Sequence, residues 1–292
     1  MQNANIPKFS HFKTALKNRL PTLGFDLFAG CVVIVMLLPV IDIIIHGLPV
    51  LSWEFLTENP SSAGREGGIA SILVSTSLIV GVSLFAAVPV AFGTALVLSE
   101  YVSPTSTLAS LIRGSLDVLA GVPSVVFGLF GLALLCRELG LGYSILAGGL
   151  TLSCMILPLL TRSMYSAFES IGNQYRITGF ALGLSRVSVL IHVSLPLALP
   201  AITAGIVLGL TRALAETAVL LFTSGYADRM PTSLLSSGRS ISLHIYELMT
   251  NVPGGDQTAY GSALVLILLL GLISVVMHAA SRLMQKRYIS FY

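Results

Sequence analysis

Charge is scarce in this sequence: of 292 residues only 10% are Asp, Glu, Lys or Arg, against roughly 25% in an ordinary soluble domain, while 54% are hydrophobic. A chain so poor in charge cannot keep most of its length in water, and the bulk of it is expected in lipid. Cysteine is rarer still. Cys31, Cys136 and Cys154 stand in apolar stretches at unrelated spacings, so neither a disulfide framework nor a metal site follows. His11, His46, His192, His244 and His278 are scattered without an H-E-x-x-H or related spacing, and each reads as an ordinary surface or interface residue. The dipeptide Gly-Lys never occurs, which removes the glycine-rich phosphate loop and with it ATP hydrolysis by that route within this chain. G-x-S-x-G is also missing, and no base stands beside a candidate serine, so no catalytic residue is assigned. The net charge of +3 is small and forms no basic stripe, which argues against a nucleic-acid partner.

What the sequence has is long apolar runs. At about 20 residues per span, six transmembrane helices are predicted over 25–46, 69–98, 115–136, 141–161, 189–223 and 258–281. Phe28-Ala29-Gly30-Cys31 precedes the first run instead of following it, so that run reads as an uncleaved span and not as a lipid-attachment signal. An even number of spans puts both termini on one side, and both are basic: Lys8, Lys13, Lys17 and Arg19 at one end, Arg282, Lys286 and Arg287 at the other. The positive-inside bias makes that side cytoplasmic, with eleven of the sixteen Lys and Arg residues inside, four outside and Arg212 in the membrane.

The predicted organisation is therefore a cytoplasmic N-terminal segment 1–24, a transmembrane domain 25–281 with a cytoplasmic loop at about 162–188, and a cytoplasmic tail 282–292. No repeat and no second domain is visible. Gly121-Val122-Pro123 in the third span permits close helix approach or a break facing a cavity. The outer segment MPTSLLSSGRSISLHIYELM, from Met230, is expected to form a short interfacial or re-entrant helix.

Within the fifth span, TRALAETAVLLF carries Arg212 and Glu216, at i and i+4, where side chains adjoin on one helical face. A charge at the bilayer centre costs about 2.5–3.5 kcal/mol on insertion scales, so such residues face a bundle interior or a water-filled path. Arg before Glu is the less favourable order for helix stability. Two readings stand at this point: an ion pair that locks two helices, or an arginine that offers planar, permanently charged donors to a passing oxyanion, with Glu216 holding it when the site is empty. Arg162, four residues after Pro158, is a candidate second stop on such a path, and Arg113 and Asp117 repeat the i, i+4 spacing in the third span.

The loop QYRITGFALGLSRVSVLIHVSLPLALP reads as a short amphipathic helix with a glycine stop, then a turn into a proline-opened span. It resembles the coupling loop of ABC-importer permeases, E-A-A-x-x-x-G followed nine residues later by I-x-L-P. Gly183 fits the glycine and Val193-Ser194-Leu195-Pro196 the closing motif, whereas Ile177-Thr178-Gly179 stands where Glu-Ala-Ala is usual. EFLTENP, GREGGIASIL, LSEY, LAGVPSVVFGLFG, LPLLTRS and TRALAETAVLLFTSG are similar to a membrane subunit of the bacterial phosphate-specific ABC importer, the PstA type, from about residue 55 to the end. In that family the residue at position 215 is usually glycine, where this chain has Ala215.

The resemblance implies an all-α integral membrane protein with the type I importer permease fold and a cytoplasmic coupling helix, in the bacterial plasma membrane. It implies a paralogous permease subunit, two ATPase subunits that bind ATP and Mg, and an extracytoplasmic phosphate-binding protein, with no cofactor in this chain. It carries Arg212, Glu216 and Arg162 to the phosphate path, and Arg176, Ile177, Thr178, Gly179, Gly183, Leu195 and Pro196 to ATPase coupling. Two other functions stay open: a permease of similar build for sulfate or molybdate, since arginine alone does not separate oxyanions, and a membrane-embedded enzyme or scaffold.

Overall fold

The computed structural model describes residues 9–289, with side chains described over 25–279 and at 281. The basic side chains at the two ends, on which the expected orientation rests, lie outside the described residues. Among those described, five helices are long and apolar enough to cross a membrane, and a sharply bent pair makes a sixth.

Helix α1, Phe9–Gly47, includes the first apolar run and starts well inside the expected N-terminal segment. A short helix α2 (Trp53–Thr57) and a two-stranded hairpin, β1 (Pro60–Ser61) with antiparallel β2 (Glu66–Gly67), lead into α3, Ala70–Leu96. A wide π-helical turn, Val97–Tyr101, continues α3. The third expected span is two helices, α4 (Thr107–Gly121) and α5 (Ser124–Gly131, prolonged by a wide turn to Glu138), set at 96°. The cause is local: Val122, held extended at ψ 128° by the following proline, ends α4, and Pro123 opens α5, where its missing N–H costs nothing.

Helix α6, Ile145–Glu169, runs two turns beyond the expected span, so Arg162 belongs to a helix and the cytoplasmic loop proper begins after Glu169. That loop holds α7 (Asn173–Ala181) and the single turn α8 (Arg186–Val189). A second wide turn, Leu190–Ser194, precedes α9 (Leu195–Leu214). Pro196 would clash with the carbonyl four residues back in a regular helix, and a wide turn just before it accommodates the ring.

The fifth span also departs from expectation: α9 stops at Leu214, Ala215–Thr217 are not helical, and α10 covers only Ala218–Thr223. The outer segment after it is irregular up to Ser240 and then forms α11, Ile241–Thr250, whose first four residues are buried. Helix α12, Asp256–Ile289, completes the chain and extends past the expected start of the tail.

The core lies between α3 and α6, with α9 laid across both and α12 against α9. Gly205 and Gly209, four apart on α9, let its backbone come down on α6: a Cβ at Gly209 would sit 2.5 Å from Leu160 Cδ2, and one at Gly205 would run into Ser163. In lipid, where burial of apolar groups gives helices no reason to associate, such small-residue contact is what packs them. Helix α1 is different: nearly all its described side chains are exposed and it packs against α12.

Candidate functional site

The bend between α4 and α5 and the early end of α9 leave a cavity of about 560 Å³. Its walls are Leu119, Ala120, Val122, Ser124 and Phe127 from the bent pair, Met155, Pro158, Leu159 and Arg162 from α6, and Leu208, Thr211 and Arg212 from α9. The lining is apolar apart from two hydroxyls and two guanidinium groups. Arg162 and Arg212, fifty positions apart in sequence, thus face one space.

Each arginine has its own carboxylate. The Arg212 Nη2 lies 3.4 Å from Glu216 Oε2, the guanidinium side 53% exposed and the carboxylate 5%. The pair was expected along one continuous helix; instead the helix ends between them. Arg212 sits in the last turn of α9, where unpaired carbonyls favour a cation. Glu216 follows in the break, its N–H bonded to the Ala213 carbonyl at 3.3 Å and its own carbonyl taking the Ser242 hydroxyl at 2.6 Å. Glu216 is thereby fixed from α11, while Arg212 has a free side toward the cavity.

Arg162 pairs with Asp117 of α4, both partly exposed. The suggested Arg113–Asp117 pair is therefore not made. Arg113 instead lies 5.5 Å over the Tyr165 ring and donates to its hydroxyl at 3.4 Å, and Tyr165 donates in turn to Glu169. A smaller cavity of about 190 Å³, lined by Arg113, Asp117, Thr161, Arg162 and Tyr165 among others, abuts this group. Asp117, Tyr165 and Glu169 were not singled out by sequence reasoning.

The coupling residues form a separate region. Helix α7 ends as its glycine predicts: Gly183 has φ +79°, its N–H bonds the Phe180 carbonyl at 3.0 Å, and the Leu184 N–H reaches back to Gly179 at 3.1 Å. This is the paired-bond stop that glycine permits. Ile177 and Thr178 are exposed, and with Tyr175, Phe180 and Leu182 they give the loop an apolar outer surface. Gly179 is buried against Val189, whose Cγ2 would lie 2.8 Å from an added Cβ. Leu195 and Pro196 are half-buried at the start of α9 and do not share the exposed face.

Arg176 turns inward. Its Nε and Nη2 donate to Glu100 Oε1 at 3.1 and 2.7 Å, and Nη2 also donates to the Phe168 carbonyl at 3.0 Å. Glu100 was missed; its signal was a lone acid closing the second apolar run in LSEY. Among the described residues no cluster of three or more His, Cys, Asp or Glu is placed to hold a metal ion.

Outside the spans, Arg239 and His244 are buried together beneath the hairpin. Arg239 donates from Nε to the Tyr226 carbonyl at 3.0 Å, and its Nη1 lies 3.2 Å from His244 Nδ1. Burial, with the guanidinium beside it, pulls His244 down to about 3.

Comparison with known proteins fits this geometry. Residues 87–290 match the family described as binding-protein-dependent transport system inner membrane component. The chain is 31% identical over 253 residues to the phosphate transport system permease protein PstA 2 of Mycobacterium bovis, covering 85% of this chain and 82% of that one. It is 28% identical over 268 residues to the probable ABC transporter permease protein YqgI of Bacillus subtilis, covering 87% and 91%. In fold it is similar to a chain of a bacterial alginate ABC transporter solved with an alginate pentasaccharide-bound periplasmic protein, with a TM-score of 0.67, 15% identity, and 91% and 95% of the two chains covered.

Proposed function

The chain belongs to the family of binding-protein-dependent transport system inner membrane components, and from that premise we propose that it is half of the membrane path of an ATP-driven phosphate importer. As a permease of an ABC transporter with the type I importer fold, it is a transport subunit and not an enzyme. The observation that carries phosphate is the shared cavity: two guanidinium groups, each neutralised by a carboxylate of its own chain, line one space otherwise walled by apolar side chains.

Guanidinium forks match the oxygens of a tetrahedral oxyanion and keep their charge at any physiological pH. An anion entering the cavity exchanges with Glu216 or Asp117 as partner of the arginine and does not meet a bare positive charge. The path then needs neither strong trapping nor a large desolvation penalty.

The exposed side of Arg212 and the apolar faces of α4 and α5 suit a second, paralogous permease subunit that supplies the other half of the path. The apolar outer face of α7 suits a groove on each of two ATPase subunits, which bind ATP and Mg, and an extracytoplasmic phosphate-binding protein delivers the anion. Both termini are placed in the cytoplasm. The M. bovis relative supports phosphate as cargo.

The test is uptake of labelled phosphate into vesicles carrying all the subunits, with sulfate and molybdate as competitors. Phosphate uptake resistant to both is expected; uptake abolished by either at equal concentration reassigns the cargo to another oxyanion.

A further inference from the structure

Helix α7 carries no acidic residue of its own; it reads NQYRITGFA. Its charge partner comes instead from Glu100, 76 positions before Arg176. Glu100 lies in the wide turn that closes α3, a local geometry that concentrates at functional positions. Both side chains of the pair are mostly buried, at 16% and 14% exposure, where screening is weak. The same guanidinium holds the Phe168 carbonyl in the last turn of α6. One side chain of the loop thus grips the ends of two helices, and α6 is a wall of the cavity.

We propose that Glu100 is a positioning residue for transport: through Arg176 it makes α7 move as one piece with the cytoplasmic ends of α3 and α6. Force received on the outer face of α7, through Tyr175, Ile177 and Phe180, then reaches the helix that bears Arg162. A forked, doubly bonded pair suits this task, because two parallel bonds resist rotation as well as separation. The inference rests on the reading of α7 as the ATPase-docking helix.

The experiment uses the complete importer in vesicles and reads anion taken up per ATP hydrolysed, alongside co-purification of the ATPase subunits. Glu100→Gln is expected to keep the ATPase subunits bound while uptake per ATP falls roughly tenfold, the scale of losing a hydrogen bond between charged groups. Arg176→Gln is expected to do the same, and the double variant to be no worse than either, because both changes remove one link. Unchanged uptake per ATP in Glu100→Gln, or losses that multiply in the double variant, overturns the proposal. Should Glu100→Gln fail to assemble, Glu100→Asp keeps the charge but shortens the reach: reduced coupling with intact assembly is expected, and full coupling overturns it. Failure of the docking reading shows differently, as ATPase subunits that stay bound with full coupling when α7 itself is disrupted at Gly183.

Discussion

Arg212 and Glu216 meet at 3.4 Å across the end of a helix, with the glutamate pinned and the arginine half free. A pair built only to lock two helices would bury both partners. This one leaves the guanidinium open to the cavity and keeps its counter-charge within reach. Replacing Arg212 by Gln is expected to lower phosphate uptake roughly 10- to 100-fold, the scale of losing a charged hydrogen bond, while the subunits still co-purify. Arg212→Lys keeps the charge without the fork and should fall between. Loss of assembly in both variants would assign the pair to packing instead.

Asp117 competes with the anion for Arg162. With both side chains about half exposed, the pair contributes little, within about 1 kcal/mol. Asp117→Asn should therefore tighten phosphate binding to the detergent-solubilised complex by only a few fold, measured with labelled phosphate in the absence of the binding protein. Weaker binding would mean that Asp117 orients Arg162 rather than screens it.

The stop of α7 rests on the left-handed backbone at Gly183, φ +79°, with open space around the residue. Steric fit is not at issue there; conformation is. Gly183→Val should cost about 1–2 kcal/mol locally and weaken ATPase co-purification, whereas Gly183→Asn, which tolerates this conformation, should restore most of it. Equal behaviour of the two variants, or unchanged co-purification in Val, counts against docking through α7.

His244 makes the outer cap sensitive to acid. The folded protein holds the ring neutral down to about pH 3, whereas an unfolded chain takes up a proton below about 6.5. The stability contributed by the neutral ring is complete above pH 6.5 and shrinks as pH falls toward 3, by about 2 kcal/mol at pH 5. Arg239 faces the ring, and Asp228 and Glu247 offset only part of that guanidinium's charge. Unfolding of the purified complex should occur at lower temperature at pH 5 than at pH 7.5, and His244→Gln should narrow the difference. An unchanged difference would place the acid sensitivity elsewhere.

Much of the fold was legible because a bilayer enforces it. Apolar runs of sufficient length must be helices there, and Gly121-Val122-Pro123 announced the break in the third span. Gly183 announced the end of α7 by the same kind of local rule. The end of α9 at Leu214 was hidden, since Leu-Ala-Glu-Thr contains no breaker; the irregular stretch is held from outside, by the Ser242 hydroxyl on the Glu216 carbonyl. Pairings failed for a related reason. Asp117 stands four residues from Arg113 but finds Arg162, 45 residues on, and the partner of Arg176 lies on another span. Spacing along one helix reports which side chains can meet, while the choice among them belongs to packing. The G-x-x-x-G of Gly205 and Gly209 was readable and went unread.

Helix α1 touches the rest of the chain chiefly near its outer end, where Asp42 accepts from the Tyr260 hydroxyl at 3.0 Å and Gly47 lies against the Tyr260 carbonyl. Below that anchor its sides are left to lipid. A thicker or thinner bilayer can then be met by tilting this one outrigger about a fixed pivot, so that lateral pressure is taken up before it reaches the moving parts.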